Sequence, residues 1–381
     1  MKRIGNRLAV DFGSSSGGFF VGGLFVALPF PLTAFGPRIR LPHFMIIVLK
    51  PRITKRQENS VLREIRKLGY EPHVMRGVAR TVVGAIGDEK KNPSLEKLTT
   101  WPQVESVTPI QKRFRLVSRE AHPKNSTVKV GRHLIGGKKL QVMAGPCSVE
   151  SEKQLMETAH AVRKAGATIL RGGAFKPRTS PYEFQGLGEK GLKLLAKARN
   201  ETGMPIITEL LSQKHVDLVA EYADILQIGT RNAQNFQLLI AAARTGKPVL
   251  LKRGMSMRIE EWLLAGEYIL ANENAGLMFC ERGIRTFESY TRNTLDLSTI
   301  PAVKQESHCP IVIDPSQGCG RADLINSLCK GAVAMGADAL LIEVHPNPAA
   351  AWSDGAQQIT PDGFKKLMRE LKPFIKAAGR S

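Results

Sequence analysis

The stretch "PIVIDPSQG", residues 310–318, places a short apolar run directly before an acid, a proline and a glycine-containing turn. A run without polar interruptions is typical of a β-strand that is covered on both faces. The polar residues after it would then lie at the carboxyl end of that strand. Such a turn could bind a phosphate through backbone N–H groups, supply a metal ligand or only reverse the chain, and this stretch alone leaves all three open.

Seven further runs of the same kind follow residue 140: QVMAG (from 141), TILRGG (168), PIITEL (205), ILQIG (225), PVLLKRG (248), GLMFCERG (276) and ALLIEVHP (339). Successive runs begin 20 to 37 residues apart, which leaves room for a crossover helix after each strand. Eight such units predict an α/β fold, a (β/α)8 TIM barrel over residues 138–381, rather than an open doubly wound sheet. No GxGxxG follows the first strand, which argues against dinucleotide binding.

Residues 45–116 show a different pattern, in which short strands alternate with two helices. Thr54 and Gln57 have the spacing of a capping box at the start of an amphipathic helix. The order β-α-β-β-α-β predicts a small α+β domain of the ferredoxin-like type. We interpret residues 117–137, which are largely polar, as a linker to the barrel.

Residues 1–44 imitate a signal peptide, because a basic start precedes the apolar stretch "FFVGGLFVALPFPLTAFG". Pro29 and Pro31 interrupt that stretch, and a fold-like pattern begins abruptly at Met45. We therefore prefer a mis-assigned start, with Met45 as the true first residue, to an exported leader. In either case we expect this segment to be poorly ordered.

The composition limits the classes of partner. The chain has 55 Lys and Arg against 34 Asp and Glu, a formal net charge of +21. A solvated basic surface would account for this charge, and so would an anionic partner. Aromatic residues make up only 6%, without a basic tract that interleaves them, so we expect no nucleic acid and no membrane partner. The five cysteines form no CxxC pair, which favours a reducing compartment such as the cytoplasm.

Basic side chains recur at the predicted strand ends, where TIM barrels carry their chemistry. If they met in one cavity, they would repel one another unless anions neutralised them. We therefore predict a substrate with several negative charges, which arginine forks would bind through paired hydrogen bonds. The seven cations in question are Arg171, Lys176, Arg178, Arg231, Lys252, Arg253 and Arg282.

A second group of strand-end residues has the chemistry of metal ligands. Cys147 follows the first strand, Glu343 ends the eighth, and Asp354 comes shortly after it. One thiolate with two carboxylates suits a divalent transition metal at a site that lacks one imidazole. The simpler alternative is that Cys147 is only a small buried apolar residue.

Several long strings closely resemble one enzyme family: MAGPCSVES, LRGGAFKPRTSPYEFQGLG, IGTRNAQNF, KPVLLKRGMS, CERGIRTFE, TRNTLDLS and IEVHPNP with SDG. The family is 3-deoxy-D-arabino-heptulosonate 7-phosphate (DAHP) synthase, in its subclass with an N-terminal ferredoxin-like regulatory domain. The resemblance runs from Met45 to the C-terminus. It implies condensation of phosphoenolpyruvate with erythrose 4-phosphate to DAHP and phosphate, the first step of the shikimate pathway to aromatic amino acids.

The resemblance also implies roles for single positions. Arg178, Thr179 and Ser180 would bind the aldose phosphate, and Lys176 would transfer a proton. Glu281 would position the water that attacks C2. The remaining substrate-binding positions, four of them around phosphoenolpyruvate, would be Arg171, Arg231, Lys252, Arg282 and Asp314.

The family's metal ligands correspond to Cys147, Glu343, Asp354 and Gln317 of this chain. Of these, Asp354 would also take part in catalysis. The metal would be Mn, Fe, Zn or Co. Glutamine replaces the family's histidine, which leaves three hypotheses in order of preference. In the first, metal binding is weaker, and the Gln317 side-chain oxygen or a water molecule completes the coordination shell. In the second, His345 or Cys319 replaces the histidine as a ligand. In the third, catalysis needs no metal.

Two other functions compete with that of a DAHP synthase, and the resemblance also implies an oligomeric state and an effector. A 3-deoxy-octulosonate 8-phosphate synthase would use the same chemistry on a pentose phosphate, but the "KPRTS" motif and the small domain favour the heptulosonate enzyme. An inactive homologue that senses aromatic amino acids would explain Gln317 as a lesion. The resemblance further implies a homotetramer and a tyrosine or phenylalanine effector.

Overall fold

The computed structural model describes residues 43–76, 81–87, 94–109 and 114–381. We interpret residues 1–44 as a leader or a mis-assigned start, and residues 1–42 of that segment lie outside the described ranges. The first strand begins at His43, two residues before Met45. Within the described ranges, none of the helices is both long and apolar enough to span a membrane.

The small domain has the predicted ferredoxin-like topology. Its elements are strand β1 (His43–Leu49), helix α1 (Lys55–Lys67), β2 (Glu71–Arg76), β3 (Thr81–Gly87) and β4 (Val104–Pro109). The antiparallel sheet has the order β2-β3-β1-β4. The second predicted helix is a six-residue 3-10 helix, Leu95–Thr100.

The capping box that the sequence predicts is present at the start of α1. The Thr54 hydroxyl accepts a hydrogen bond from the Gln57 backbone N–H at 3.3 Å, and the Gln57 side-chain oxygen accepts one from the Thr54 N–H at 2.8 Å. Both bonds satisfy N–H groups that a helix start leaves without partners. The apolar face of α1, with Val61 and Ile65, then joins Ile47 in the core of this domain.

The eight predicted apolar runs form the eight parallel strands of a closed barrel. A short hairpin, β5 (Val128–Val130) and β6 (His133–Ile135), precedes them. The barrel strands are β7 (Gln141–Gly145), β8 (Ile169–Arg171), β9 (Ile206–Glu209), β10 (Ile225–Ile228), β11 (Val249–Lys252), β12 (Leu277–Glu281), β13 (Ile311–Ile313) and β14 (Ala339–Glu343). Pairing of β14 with β7 closes the ring.

The helices that follow the strands supply the outer layer of the barrel domain. Of these helices, α8 is a short addition at the end of β13. The set comprises α2 (Glu152–Ala165), α3 (Glu189–Thr202), α4 (Val216–Tyr222), α5 (Phe236–Arg244), α6 (Ile259–Leu270), α7 (Thr299–Glu306), α8 (Pro315–Cys319), α9 (Ile325–Ala334) and α10 (Pro361–Ala377).

Alternate residues of each strand belong to two separate cores. One core, inside the barrel, includes Met143, Ile169, Leu250 and Met278; the other contains the intervening strand residues and the helix faces. The interior core also contains Val128, Val130 and Ile135 of the β5–β6 hairpin. The segment expected to be a polar linker thus contributes an apolar hairpin to the barrel interior.

Aromatic packing fixes the strands that carry much of the site. Trp262 of α6 meets Phe279 of β12 edge to face, with ring centroids 4.9 Å apart. The Trp262 indole N–H donates to the Leu251 carbonyl of β11 at 3.2 Å. Because both rings are fully buried, truncating either would cost about 3–5 kcal/mol. The ends of β11 and β12 are therefore held rigidly.

Candidate active site

The strand ends surround a polar cavity of about 360 Å³. Three acids line it, namely Glu183, Glu209 and Asp354, together with eight cations. Such an excess of positive charge in one cleft favours an anionic ligand. The eight cations are Arg171, Lys176, Arg178, Arg231, Lys252, Arg282, Arg285 and Arg292, which include six of the seven that the sequence predicted.

Arg253 is the predicted cation that does not line the cavity. Its guanidinium donates to Glu281, Asp296 and Thr299, each at 2.9 Å. Neighbouring strand residues point to opposite faces. Leu250 points into the barrel interior, so Lys252, two residues later, points to the same side. Arg253 therefore points to the opposite side, toward the outer helices.

Glu281 likewise lies outside the cavity. It is completely buried, accepts from Arg253 at 2.9 Å, and accepts from the Gly283 N–H at 2.5 Å. Burial raises the pKa of this carboxyl, and Arg253 opposes that rise. Like Phe279, it belongs to the outward face of β12. The expectation that Glu281 positions a water molecule in the active site therefore has no support in this geometry.

The buried cations of the inner cavity differ in how fully they are paired. Arg171 contacts the Glu343 carboxylate at 2.5 Å, and Lys252 contacts Asp314 at 2.5 Å. Arg282 donates to the Gln317 side-chain oxygen at 3.0 Å. Arg171 Nε and Arg282 Nη1 are buried without a hydrogen-bond partner among the described residues. These N–H groups leave the site ready for an anion.

The outer cavity contains the positions predicted to bind the aldose phosphate. Arg178 pairs with Glu183 at 2.6 Å, and Arg231 donates to the Thr179 hydroxyl at 3.2 Å. Thr179 lines the cavity, whereas Ser180 does not and donates its backbone N–H to Glu183. Asp314 also lies behind the lining residues, where it neutralises Lys252 and caps α8 by accepting from the Gln317 N–H at 2.9 Å.

Lys176 reaches the floor of the cavity next to Cys147. Its Nζ lies 3.0 Å from Cys147 Sγ and 3.3 Å from the Cys147 carbonyl oxygen. Burial opposes the charge of Lys176, but the neighbouring thiol, Glu209 and Glu343 raise the pKa of the amine overall. The residue is therefore a stable ammonium, which can donate a proton.

Cys147, Glu343 and Asp354 come together as the sequence predicted, with their ligand atoms all within 4.8 Å of one another. Burial, reinforced by Glu343, raises the pKa of the Cys147 thiol to about 11. Burial disfavours the charge of Asp354, yet Lys176 and Arg292 lower its pKa to about 2. One sulfur and two carboxylate oxygens at this spacing fit a divalent transition metal.

Close backbone packing brings these three residues together. A Cβ at Gly145 would overlap the Arg171 carbonyl oxygen, so only glycine lets the end of β7 lie so near β8. Asp354 has a left-handed backbone with φ of 48°, which aspartate tolerates better than most residues. The Gln358 side-chain oxygen accepts from the Cys147 N–H at 3.0 Å and ties the two loops together.

Gln317 meets this group through its amide nitrogen. Nε2 donates to Glu343 Oε1 and to Asp354 Oδ2, each at 3.1 Å. The two alternative ligands considered from the sequence lie elsewhere. His345 pairs with Glu150 at 3.2 Å, and Cys319 Sγ contacts the Pro315 carbonyl oxygen at 3.0 Å. Neither belongs to the three-ligand group.

The sequence analysis missed two cations of the cavity, Arg285 and Arg292. Arg292 contacts Asp354 Oδ1 at 3.2 Å and the Gln357 side-chain oxygen at 3.1 Å. Both arginines lie in the long loop between β12 and α7, beyond the end of the strand. The strings "CERGIRTFE" and "TRNTLDLS", which carried the family resemblance, already contained them.

The fold and the site define a class, that of TIM-barrel enzymes acting on phosphorylated substrates. The comparisons make the class specific: residues 119–377 match the DAHP synthetase I family, and residues 45–112 match the DAHP synthase ferredoxin-like domain. The chain belongs to the DAHP synthetase I family. This confirms both the resemblance and the predicted combination of a barrel with a ferredoxin-like domain.

Individual relatives agree with the family match. Phospho-2-dehydro-3-deoxyheptonate aldolase of Thermotoga maritima is 48% identical over 335 residues, 88% of this chain and 99% of the relative. The crystal structure of the Thermotoga maritima enzyme aligns with a TM-score of 0.71, covering 89% of this chain and 99% of that one. A 2-dehydro-3-deoxyphosphooctonate aldolase of Caulobacter vibrioides is 32% identical over 269 residues, 65% of this chain and 91% of the relative. The higher identity and coverage favour the heptulosonate enzyme over the octulosonate enzyme.

Proposed function

We propose that the chain condenses phosphoenolpyruvate with erythrose 4-phosphate to give DAHP and inorganic phosphate. The observation that carries this proposal is the cavity lined by eight cations directly above Cys147, Glu343 and Asp354. Two phosphates and one carboxylate must be held together in this reaction. A cleft with five more cations than acids meets that demand.

The inner cations suit phosphoenolpyruvate, which carries a phosphate and a carboxylate. Arg171, Lys252 and Arg282 are almost fully buried, and two of them keep unpaired N–H groups. Charged hydrogen bonds from such buried groups are strong and fix the orientation of the substrate. We assign Arg231, at the outer edge, to the same substrate.

The outer residues suit the phosphate of the aldose. Arg178 and Thr179 line the cavity and belong to one loop after β8, together with Ser180. Ser180 would reach the ligand only if the loop shifted, since its N–H now donates to Glu183. Arg285 supplies another cation to the cavity lining.

Cys147, Glu343 and Asp354 would hold a divalent metal such as Mn, Fe, Zn or Co, which when bound would polarise the aldehyde oxygen of erythrose 4-phosphate. Lys176 is placed beside these ligands as an ammonium. We assign it the delivery of a proton to the aldehyde oxygen as that oxygen becomes a hydroxyl. This is general-acid catalysis, worth about 10²–10⁴-fold in rate.

The reaction forms one carbon–carbon bond and breaks the C2–O bond of phosphoenolpyruvate. C3 of phosphoenolpyruvate bonds to the aldehyde carbon, whose oxygen takes up the proton. Water then adds its oxygen to C2 and gives up a proton, which restores the ammonium of Lys176. The C2–O bond to the phosphate then breaks, the C2 hydroxyl gives its proton to the departing phosphate as the ketone forms, and inorganic phosphate leaves.

The remaining assignments are proposals of the same kind. We place the regulatory domain at residues 45–116, the linker at 117–137 and the catalytic barrel at 138–381. The regulatory domain would sense tyrosine or phenylalanine in a homotetramer, as the family resemblance implies. A reducing, cytoplasmic location agrees with five free, buried cysteines.

The test is phosphate release by the purified full chain. The protein is incubated with phosphoenolpyruvate and erythrose 4-phosphate or arabinose 5-phosphate, with and without Mn²⁺, beside a Lys176→Met variant. We expect release with erythrose 4-phosphate that falls about 10²–10⁴-fold in the variant. Release only with arabinose 5-phosphate would favour the octulosonate enzyme, and no release with either sugar would favour an amino-acid sensor.

A further inference from the structure

The side chain of Gln317 lies between a cation and two acids. Its oxygen accepts from Arg282 Nη2 at 3.0 Å, while its nitrogen donates to Glu343 and Asp354 at 3.1 Å. The backbone of Gln317 is fixed too, because its N–H donates to Asp314 at 2.9 Å and its carbonyl accepts from Asn293 at 3.1 Å. The carboxamide thus occupies the position of the missing fourth ligand in a defined orientation.

Chemistry alone selects this orientation of the amide. A guanidinium can only donate hydrogen bonds, and ionised carboxylates can only accept them. A flipped carboxamide would face Arg282 with its NH₂ group and both carboxylates with its oxygen. All three hydrogen bonds would be lost, because a donor would face the guanidinium donor and an acceptor would face the carboxylate acceptors.

We propose that Gln317 is a fixed hydrogen-bond bridge across the two carboxylates rather than a metal ligand, so that a metal is held by Cys147, Glu343 and Asp354 alone, weakly and exchangeably. The inference rests on the proposed function, since it concerns the metal of that site. It follows from the three contacts of the amide and from the cost of reversing it. Solvent or substrate oxygen would complete the coordination.

The two carboxylates of the three-ligand group already have cationic partners, which supports the same conclusion. Glu343 pairs with Arg171 at 2.5 Å, and Asp354 pairs with Arg292 at 3.2 Å. Gln357 donates to the second oxygen of Glu343 at 2.7 Å. The carboxylates therefore have hydrogen-bond and ion-pair partners whether or not a metal is bound. The free energy of metal binding is less favourable here than at two carboxylates without such partners.

Metal titration without substrate tests the proposal on the full chain. Co²⁺ binding is followed by its thiolate charge-transfer absorption, which reports Cys147, and Mn²⁺ binding by electron paramagnetic resonance. We expect Gln317→His to bind Co²⁺ at least about tenfold more tightly than wild type, because it adds an imidazole donor. Gln317→Met, which removes the amide but keeps the length, should bind both ions as well as wild type or better.

Gln357→His is the matched control. The Gln357 side chain donates to Glu343, as that of Gln317 does, but unlike that of Gln317 it does not donate to the Asp354 carboxylate. It should not tighten Co²⁺ binding. Melting of the metal-free protein gives a second readout, in which Gln317→Met should melt about 2–4 °C below wild type because the bridge is lost. Weaker metal binding by Gln317→Met would overturn the proposal, because a lost ligand weakens affinity.

The outcome is separable from that of the turnover test. Because the titrations contain no substrate, the expected affinities can appear in a protein that releases no phosphate. That result would overturn the proposed function and leave the bridge intact. Failure of Gln317→His to bind more tightly, in a protein with normal turnover, would overturn only the bridge.

Discussion

Arg253 and Arg282 follow neighbouring strands and are equally buried, at 5% and 6% exposure, yet their surroundings differ. Arg253 has four acceptors, two of them carboxylates: Glu281, Asp296, Thr299 and the Met257 carbonyl. Arg282 has one side-chain acceptor, Gln317, and its Nη1 has no partner among the described residues. A buried cation paired with carboxylates stabilises the fold, whereas one bonded only to a neutral amide is placed for an anionic ligand.

The directions of their pKa shifts agree with this distinction. Burial disfavours the charge of Arg253, but Glu281 and Asp296 outweigh it and raise the pKa of the guanidinium. Burial lowers the pKa of Arg282, since its partners compensate only in part. An anionic substrate would supply the missing compensation. The two regions can therefore be separated by experiment, one through stability and the other through catalysis.

Arg253→Met should produce the largest effect, a loss of about 3–5 kcal/mol in unfolding free energy. The substitution leaves the buried carboxylate of Glu281 and the half-buried carboxylate of Asp296 without their cation. Denaturant unfolding measures the change, and the double variant with Glu281→Gln should regain part of it. An Arg253→Met protein of normal stability and lost activity would instead place Arg253 in the active site.

Arg282→Ala should lower kcat/KM for phosphoenolpyruvate by about 10²–10³-fold, the effect of removing one aligned donor from an active site. The melting temperature should hold or rise, because an incompletely paired buried charge is removed. Steady-state kinetics and thermal melting give the two readouts. If melting fell as steeply as for Arg253→Met, the contrast between the two arginines would be wrong.

Arg285→Ala should have a smaller effect, roughly a tenfold rise in KM for erythrose 4-phosphate, or about 1.4 kcal/mol. Arg285 lines the cavity but is exposed, so water screens its charge. KM for phosphoenolpyruvate should stay unchanged, which initial-rate kinetics can verify. An equal rise in both constants would show that Arg285 contributes only to the general field of the cavity.

Asp296→Asn should produce the smallest effect, a small loss of stability at neutral pH that disappears as the pH falls into the acid range. Burial disfavours the Asp296 charge, but Ser298, Arg253 and Thr299 together lower its pKa below 3.8. A depressed carboxyl pKa contributes stability above the unfolded value, and this contribution is lost as the pH falls through the folded value. Wild type should therefore lose stability below about pH 4 more steeply than Asp296→Asn, measured by urea unfolding across that range. Parallel curves for the two proteins would contradict the assignment.

Much of the fold could be predicted because buried parallel strands are apolar along their whole length. All eight runs became barrel strands, since nothing else in the region combines that composition with such regular spacing. The β5–β6 hairpin was missed because its buried positions, Val128, Val130 and Ile135, are separated by polar and glycine residues.

Most of the candidate site could be read from the strand ends, and strand alternation explains the failures. Met278 and Cys280 face the interior, so Arg282 enters the cavity while Glu281 turns outward. Applied to each strand, this rule would have removed Arg253 and Glu281 from the prediction. It could not have found Arg285 and Arg292, which lie in a loop, nor the orientation of the Gln317 amide, which depends on three contacts between distant segments.

The amide bridge at Gln317 also has a genetic consequence. Glutamine and histidine codons share their first two bases, so one base change converts this carboxamide into an imidazole. Keeping glutamine costs the fold little, because Glu343 and Asp354 stay paired with Arg171 and Arg292 when no metal is bound. Selection for tight metal retention could be met by histidine at position 317 in a single mutational step, without disturbing Cys147, Glu343 or Asp354.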